Sequence, residues 1–327
     1  MKPTTEPERT PRIPFSFELY PPRSDAAASA LNVTIEALAA AGPDFISVTY
    51  GANGSSRRST LDVVTRILRE TNVEPMAHLT CVGSTHAEAN LLIREFLDAG
   101  VRSFLALRGD PPEGTTEGDA FLGDLGSAAE LVQLIHRVQA ERVPYRENPI
   151  PGLPGVRSVQ RKREKVHIAV AAFPNGHPRS HSASQDIDTL LAKQAAGVNL
   201  AITQLFFHAD HYLSFAQRAK EAGVKFPILP GIMPVTSPAR LRRILELSGE
   251  ALPAELSIQL EVEPSAQGQR EIGIEHAVSL GREVLAGGAP GIHLYAFNQH
   301  DTVLEVLDRL GALPAIERTA HPVKELA

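Results

Sequence analysis

Eight short, apolar, β-rich runs alternate with longer amphipathic stretches. Their starts lie about 30 residues apart, the length of one βα unit, with two gaps of about twice that. These observations predict an α/β chain folded as a single (β/α)8 TIM barrel, with an insertion between strands 4 and 5 and extra helices before strand 8. No break in composition divides the chain into halves, which favours one barrel over an open sheet of two lobes.

The expected strands are Phe15–Tyr20, Phe45–Tyr50, Met76–Thr80, Ser103–Leu107, His167–Ala172, Leu200–Gln204, Pro227–Ile232 and Ile292–Tyr295. Between and after them the periodicity predicts helices over Ala26–Ala41, Thr60–Thr71, His86–Ala99, Ala128–Ala140, Gln185–Ala196, Ala209–Ala222, Pro238–Leu247 and Val303–Leu310. Ser24, Ser59, Thr85, Ser184 and Ser237 suit N-caps, and Gly42, Gly100, Gly197 and Gly223 suit the left-handed residue that ends a helix. Each of these glycines follows an alanine, so the same helix end recurs, as a repeated supersecondary unit would make it. In the first doubled gap, residues 137–165 hold eight Lys/Arg against three Asp/Glu, together with Pro144, Pro149, Pro151 and Pro154, and read as an excursion from the core. The second gap is filled by helices over Pro253–Val262 and Gly268–Leu285. The expected organisation is therefore a flexible tail (1–13), a catalytic barrel (14–312) and a C-terminal tail (313–327).

The chain has 327 residues, 43% of them hydrophobic and 21% charged, the proportions of an ordinary folded protein. A net charge of −6 gives no basic footprint for nucleic acid. The single cysteine, Cys81, has no intramolecular partner. No apolar stretch approaches the ~20 residues of a membrane span, and the polar, proline-rich start has no signal-peptide core, so the chain reads as cytoplasmic.

In such a barrel the reacting groups sit at the C-terminal ends of the strands. On the first strand Phe15, Phe17 and Leu19 alternate with Ser16, Glu18 and Tyr20. The apolar set can therefore face the helices while Glu18 points to the barrel axis. The other strand ends carry Thr49 followed by Gly51-Ala52-Asn53, His78 and Thr80, Arg108-Gly109-Asp110, Phe173-Pro174-Asn175-Gly176-His177, Gln204, and Tyr295 with Asn298. Individually these have plain structural readings: Glu18 as an ion pair with Arg108, His78 and His177 as ordinary hydrogen-bonded histidines, Phe206 and Phe207 as core. Their recurrence at equivalent strand ends favours a ligand site. No Walker A loop, no G-x-G-x-x-G after a strand, no G-x-S-x-G and no H-E-x-x-H occur. The proline inside His177-Pro178-Arg179-Ser180-His181 argues against a helical zinc pair, so no metal is expected.

Seven motifs in series carry a resemblance. They are Ser16-Phe17-Glu18-Leu19-Tyr20-Pro21-Pro22-Arg23, Val48-Thr49-Tyr50-Gly51-Ala52, His78-Leu79-Thr80-Cys81, Leu107-Arg108-Gly109-Asp110, Val170-Ala171-Ala172-Phe173-Pro174 with His177-Pro178, Ala201-Ile202-Thr203-Gln204-Leu205-Phe206-Phe207, and Pro230-Gly231-Ile232-Met233-Pro234-Val235. On them the chain resembles the 5,10-methylenetetrahydrofolate reductases of the bacterial, single-domain type. That resemblance implies a flavoprotein oxidoreductase of one-carbon metabolism and methionine biosynthesis, in which NADH or NADPH reduces FAD and the flavin passes a hydride to the folate. It implies Glu18 as the acid that opens the folate ring, which calls for a raised carboxyl pKa. It implies Asp110 beside flavin and pterin, and Gln204 and Tyr295 on the substrate. Thr49, His78, Arg108, Gly109, Asp110, Phe173, His177, Asp186 and Lys193 are the implied FAD contacts, Arg108 and Lys193 at the diphosphate or ribose.

The chain departs from that pattern at Phe173, where a tyrosine is common, at Ala192, which replaces a basic residue, and at Gln299, where an arginine that reaches the folate tail can stand. The alternative on the same barrel is therefore direct, flavin-independent hydride transfer from NADH. An aldolase or lyase would need a lysine or a metal at a strand end, and none of the eight predicted strand ends carries a lysine. A non-catalytic folate-binding module would not need Glu18 as an acid. Arg161, Lys162 and Arg163 can either attract a polyglutamylated folate or form a solvated surface. A homo-oligomer is compatible with all of this.

Overall fold

Strict alternation builds the first barrel strand, β1 (Phe15–Leu19). Phe15, Phe17 and Leu19 are each at most 1% exposed in the layer shared with the helices, and Ser16 and Glu18 take the inner face. The computed structural model describes residues 12–50, 55–109, 123–142, 145–149, 157–161 and 166–313. Along the chain follow α1 (Asp25–Ala40), β2 (Phe45–Val48), α2 (Ser55–Glu70), β3 (Glu74–Thr80), α3 (His86–Asp98), β4 (Ser103–Leu107) and α4 (Ala128–Arg142). A two-stranded antiparallel ribbon, β5 (Tyr145–Pro149) and β6 (Arg157–Arg161), stands apart from the main sheet. Then come β7 (His167–Ala172), α5 (Ala183–Ala196), β8 (Leu200–Thr203), α6 (Ala209–Glu221), β9 (Ile228–Leu229), β10 (Gly231–Ile232), α7 (Pro238–Ser248), α8 (Ala254–Val262), α9 (Ala266–Ala286), β11 (Ile292–Tyr295) and α10 (His300–Arg309).

Every pairing in the main sheet is parallel, in the order β10-β11-β1-β2-β3-β4-β7-β8-β9. Its two ends are one stretch of chain. β9 pairs with β8 and β10 with β11, and only Pro230, which has no N–H to give the ladder, separates them. The predicted run Pro227–Ile232 is thus the eighth barrel strand, interrupted at its proline, and the (β/α)8 barrel closes.

Caps explain where the helices begin. Ser24 accepts from the Ala27 N–H, Thr85 forms a reciprocal capping box with Glu88, and Ser237 accepts from the Arg240 N–H ahead of Pro238. Two expected caps are corrected. Ser59 lies inside α2, which starts at Ser55, and α5 is capped by Ser182 in place of Ser184. The β5–β6 ribbon was also not expected: its charged, proline-rich sequence lacks the apolar alternation that marks a strand. α4 runs to Arg142, so the excursion leaves the helical layer later than residue 137.

Inside the barrel, Phe45, Met76, Leu105, Ala169, Ile202 and Leu229 form a separate apolar cluster. Above this floor the inward positions turn polar, with Ser16, Ser47, His78 and His293 all buried and Glu18 beside them. Polar side chains there cannot be filling space cheaply, since burial without a partner costs free energy. No helix among the described residues is long and apolar enough to cross a membrane.

Candidate active site

Glu18, one residue before the end of β1, points into the mouth with 20% of its side chain exposed. His78 Nε2 lies 3.5 Å from its Oε2 and His293 Nε2 lies 3.8 Å away. His293, from β11, was missed by the sequence reading, although the inward/outward alternation that exposes Glu18 also puts His293 and Tyr295 on one face. It is fully buried, stacks on Phe45 with ring centroids 5.8 Å apart, and shares a 2.8 Å hydrogen bond between Nδ1 and the Ser16 hydroxyl. The Nε2 atoms of both His78 and His293 are buried without a hydrogen-bond partner, so each is aimed at the carboxylate with no competing acceptor.

Burial by itself pushes the Glu18 carboxyl up, but the pull of His293 and of His78 outweighs it, and the group sits below its ordinary 4.5. The resemblance implies a raised pKa for a carboxyl covered by flavin; among the protein's own residues desolvation acts in that direction, but the two imidazoles reverse the net shift. Burial pushes His78 down from 6.5, only partly opposed by Glu18. Both groups hold fewer protons folded than unfolded, so stability is lost as pH falls. The carboxylate's share is present above about 4.5 and the imidazole's above about 6.5. The urea midpoint of the protein should fall between pH 7.5 and 5.5, and His78→Gln should reduce that fall. An unchanged slope would show that His78 contributes nothing to it.

Around this centre the strand ends bring together most of the expected residues. Tyr295 is inward, opposite Glu18 in register, and burial raises its phenol pKa well above 10. Its hydroxyl donates to the Thr203 carbonyl at 2.7 Å, across the closing strand, and its ring packs where a Gly231 side chain would stand. Tyr295 thus ties β8 to β11 as well as walling the mouth. The half-buried Gln204 turns its Oε1 to the Leu205 N–H at 3.0 Å, an internal bond that a ligand could replace. Thr49 continues from β2, and its carbonyl accepts from Thr60 at 2.9 Å. Phe173 and His177 meet edge to face at 4.6 Å. Asp110 and Gly51 to Asn53 lie outside the described residues.

A second polar group flanks the mouth. Lys193, 7% exposed, donates to the Ala171 carbonyl at 2.8 Å. Burial drives its pKa down to about 8, with Asp186 opposing and Arg108 adding to the fall. Asp186 accepts from the Ser180 hydroxyl at 2.7 Å and from the His177 N–H at 3.3 Å, ordering the loop after β7. Gly109 has φ +89, and a Cβ there would come within 2.6 Å of Val82, so the turn after Arg108 requires glycine.

A family profile named Methylenetetrahydrofolate reductase matches residues 5–311. The chain belongs to the methylenetetrahydrofolate reductase family. Among its relatives is the 5,10-methylenetetrahydrofolate reductase of Salmonella typhimurium, 30% identical over 306 residues that cover 93% of each chain. A rice protein named probable methylenetetrahydrofolate reductase (NADH) is 30% identical over 312 residues, 92% of this chain and 49% of that longer one. A solved Clostridium thermocellum protein, described as binding two copies of 5-methyl-5,6,7,8-tetrahydrofolic acid, matches with TM-score 0.59 and 13% identity. That match covers 91% of this chain and 94% of the other, a likeness of fold.

For a methylenetetrahydrofolate reductase, an oxidoreductase, the arrangement offers two functions side by side. One part is a cluster of a carboxyl and two imidazoles under the mouth; the other is the cationic pair Arg108 and Lys193. The sequence reading named Arg108, Lys193, Glu18 and His78, and not His293.

Proposed function

We propose that this chain reduces 5,10-methylenetetrahydrofolate to 5-methyltetrahydrofolate with NAD(P)H, using bound FAD, with Glu18 as the acid that opens the five-membered ring. The observation that carries this is the Glu18 carboxyl facing the barrel mouth with two otherwise unbonded imidazole nitrogens behind it. Ring opening to the 5-iminium cation needs a proton delivered at the folate, and a donor must lie within hydrogen-bond reach of it. The neighbouring imidazoles favour the ionised Glu18 carboxylate. A ligand covering the mouth would remove the remaining water from the carboxyl, which raises its pKa and favours its uptake of a proton. His293, held by Ser16 and Phe45, keeps the cluster in register.

The residues present fit FAD. Two cations, Arg108 and Lys193, stand close enough that one depresses the other's pKa, and such a pair in a desolvated place is suited to a diphosphate. Gly109 permits close backbone approach, while Thr49, His78, Phe173, His177 and Asp186 complete the proposed contacts. FAD, when bound, supplies a hydride acceptor and donor between the nicotinamide and the folate. Asp110 is proposed beside the flavin and pterin, and Gln204 and Tyr295 on the pterin. The protein is read as a cytoplasmic enzyme with small-molecule partners.

Flavin-independent transfer from NADH remains a second reading, favoured by the departures at Phe173 and Ala192. Two measurements on the purified protein test the proposal. Incubation with NADH and 5,10-methylenetetrahydrofolate should yield 5-methyltetrahydrofolate, and no product would overturn the reading. A stoichiometric absorption band near 450 nm would assign the FAD route, and full activity without it the direct one.

A further inference from the structure

The loop after β7 forms a tight turn between two of the proposed nucleotide contacts. Phe173 and His177 flank Pro174-Asn175-Gly176, the Gly176 N–H donates to the Phe173 carbonyl at 3.1 Å, and Gly176 takes φ +89. The Phe173 and His177 rings meet across this turn, and the Arg179 N–H donates to His177 Nδ1 at 3.0 Å. The neutral His177 ring therefore carries its proton on Nε2, as a donor. Asp186 secures the chain at His177 and Ser180, beyond the apex. The apex itself is reached from a different element: Asn175 Nδ2 donates to Glu250 Oε2 at 2.5 Å.

Glu250 is placed by the end of α7. Gly249 caps that helix with φ +71 and sends its N–H to the Leu245 carbonyl, and a Gly249 side chain would begin 4.0 Å from Pro178 of the same loop. The Glu250 N–H then donates to the Ser248 hydroxyl at 3.2 Å. α7 is itself well fixed, since Leu241 and Ile244 are buried in one apolar cluster with Leu205 and Phe207, which follow Gln204 after β8. One helix thus braces the wall beside Gln204 and, through Glu250, the turn beside the nucleotide.

Stability gives a poor account of this carboxylate. Burial raises its pKa above the ordinary 4.5, and the bond from Asn175 and the charge of nearby His211, in the first turn of α6, only partly offset that. An apolar side chain would fill a half-buried position at lower cost, and Asn175 on the other side of the bond is exposed. What the pair does is fix the apex between Phe173 and His177.

We propose that Glu250 is a positioning residue for the nucleotide: it grips Asn175 and so holds the Phe173–His177 turn to α7, with both rings preset for the ligand. The inference rests on the reductase reading, which puts Phe173 and His177 on the nucleotide, and adds to it a residue that acts through another. Presetting takes the ordering of the turn out of the cost of binding, so losing it weakens affinity.

Fluorescence titrations with FAD and with NADH test this in the wild type, Glu250→Ala, Asn175→Ala, their double variant and Glu250→Gln. For the nucleotide that the wild type binds, Glu250→Ala should raise Kd by about 5- to 10-fold, the worth of a single hydrogen bond. Asn175→Ala should do the same, and the double variant should lose no more than either single one, because both remove one link. Glu250→Gln keeps an oxygen that accepts from Asn175 and should stay within about 2-fold of the wild type. An unchanged Kd in Glu250→Ala, additive losses in the double variant, or a Glu250→Gln as weak as Glu250→Ala overturns the proposal. So does a fall in urea midpoint without a change in Kd, which marks the pair as part of the fold alone. If Glu250→Ala does not fold, Asn175→Ala decides, and a normal Kd there is equally fatal. A wild type that binds neither nucleotide would instead overturn the reductase reading.

Discussion

Glu18→Gln should lower the rate of folate reduction by about 10²–10⁴-fold, the usual worth of a positioned proton donor, while oxidation of NADH by an artificial acceptor such as menadione stays near the wild-type rate. The substitution keeps the size of the side chain and removes only its capacity to take and give a proton. Since Glu18 makes no contact in the apolar layer between sheet and helices, the fold should tolerate it. Steady-state assays with both acceptors separate the outcomes. Loss of both activities would mean that Glu18 organises the site without acting as the acid, and retention of folate reduction would leave the proton without a source here.

Lys193→Met should weaken binding of FAD, or of NADH on the direct route, by about 10- to 100-fold, the value of a hydrogen bond to a charged group. Methionine replaces the buried stem and deletes the charge. The wild-type dependence on pH follows from the same group. With the free amine titrating at about 8, nucleotide binding above that pH must take up a proton, so affinity should fall as pH rises past 8 and stay level below it. In Lys193→Met that dependence should vanish. Flavin-fluorescence quenching or calorimetric titration at pH 7 and 9 reads both effects, and a pH dependence equal in the two proteins would remove Lys193 from the nucleotide site.

How much of this was legible in the sequence depends on whether the signal was local. The strands Ser103–Leu107, His167–Ala172 and Ile292–Tyr295 have the expected bounds, because a short, almost continuously buried apolar run and its flanking turn residues are encoded within each segment. Glu18 was legible for the same reason, as a carboxylate on the inward set of an otherwise apolar strand. Its net electrostatic state was not, because it is set by His293, some 275 residues away and brought close only by closure of the barrel. The two hydrogen bonds between the Tyr20 backbone and the Asn298 side chain are likewise a product of closure. Ser182 displaced Ser184 as a cap because either serine could start α5, and only the path of the preceding loop selects between them.

The central claim is that a carboxyl on β1, tuned by the imidazoles behind it, delivers the proton to the folate. The pH profile of single-turnover folate reduction in the wild type and in His293→Gln tests it most directly. Glutamine can still meet Ser16 but cannot carry a charge, so burial should dominate and the Glu18 carboxyl should rise. The alkaline limb of the profile should then move to higher pH in the variant. A limb that stays in place, or moves to lower pH, would contradict the account.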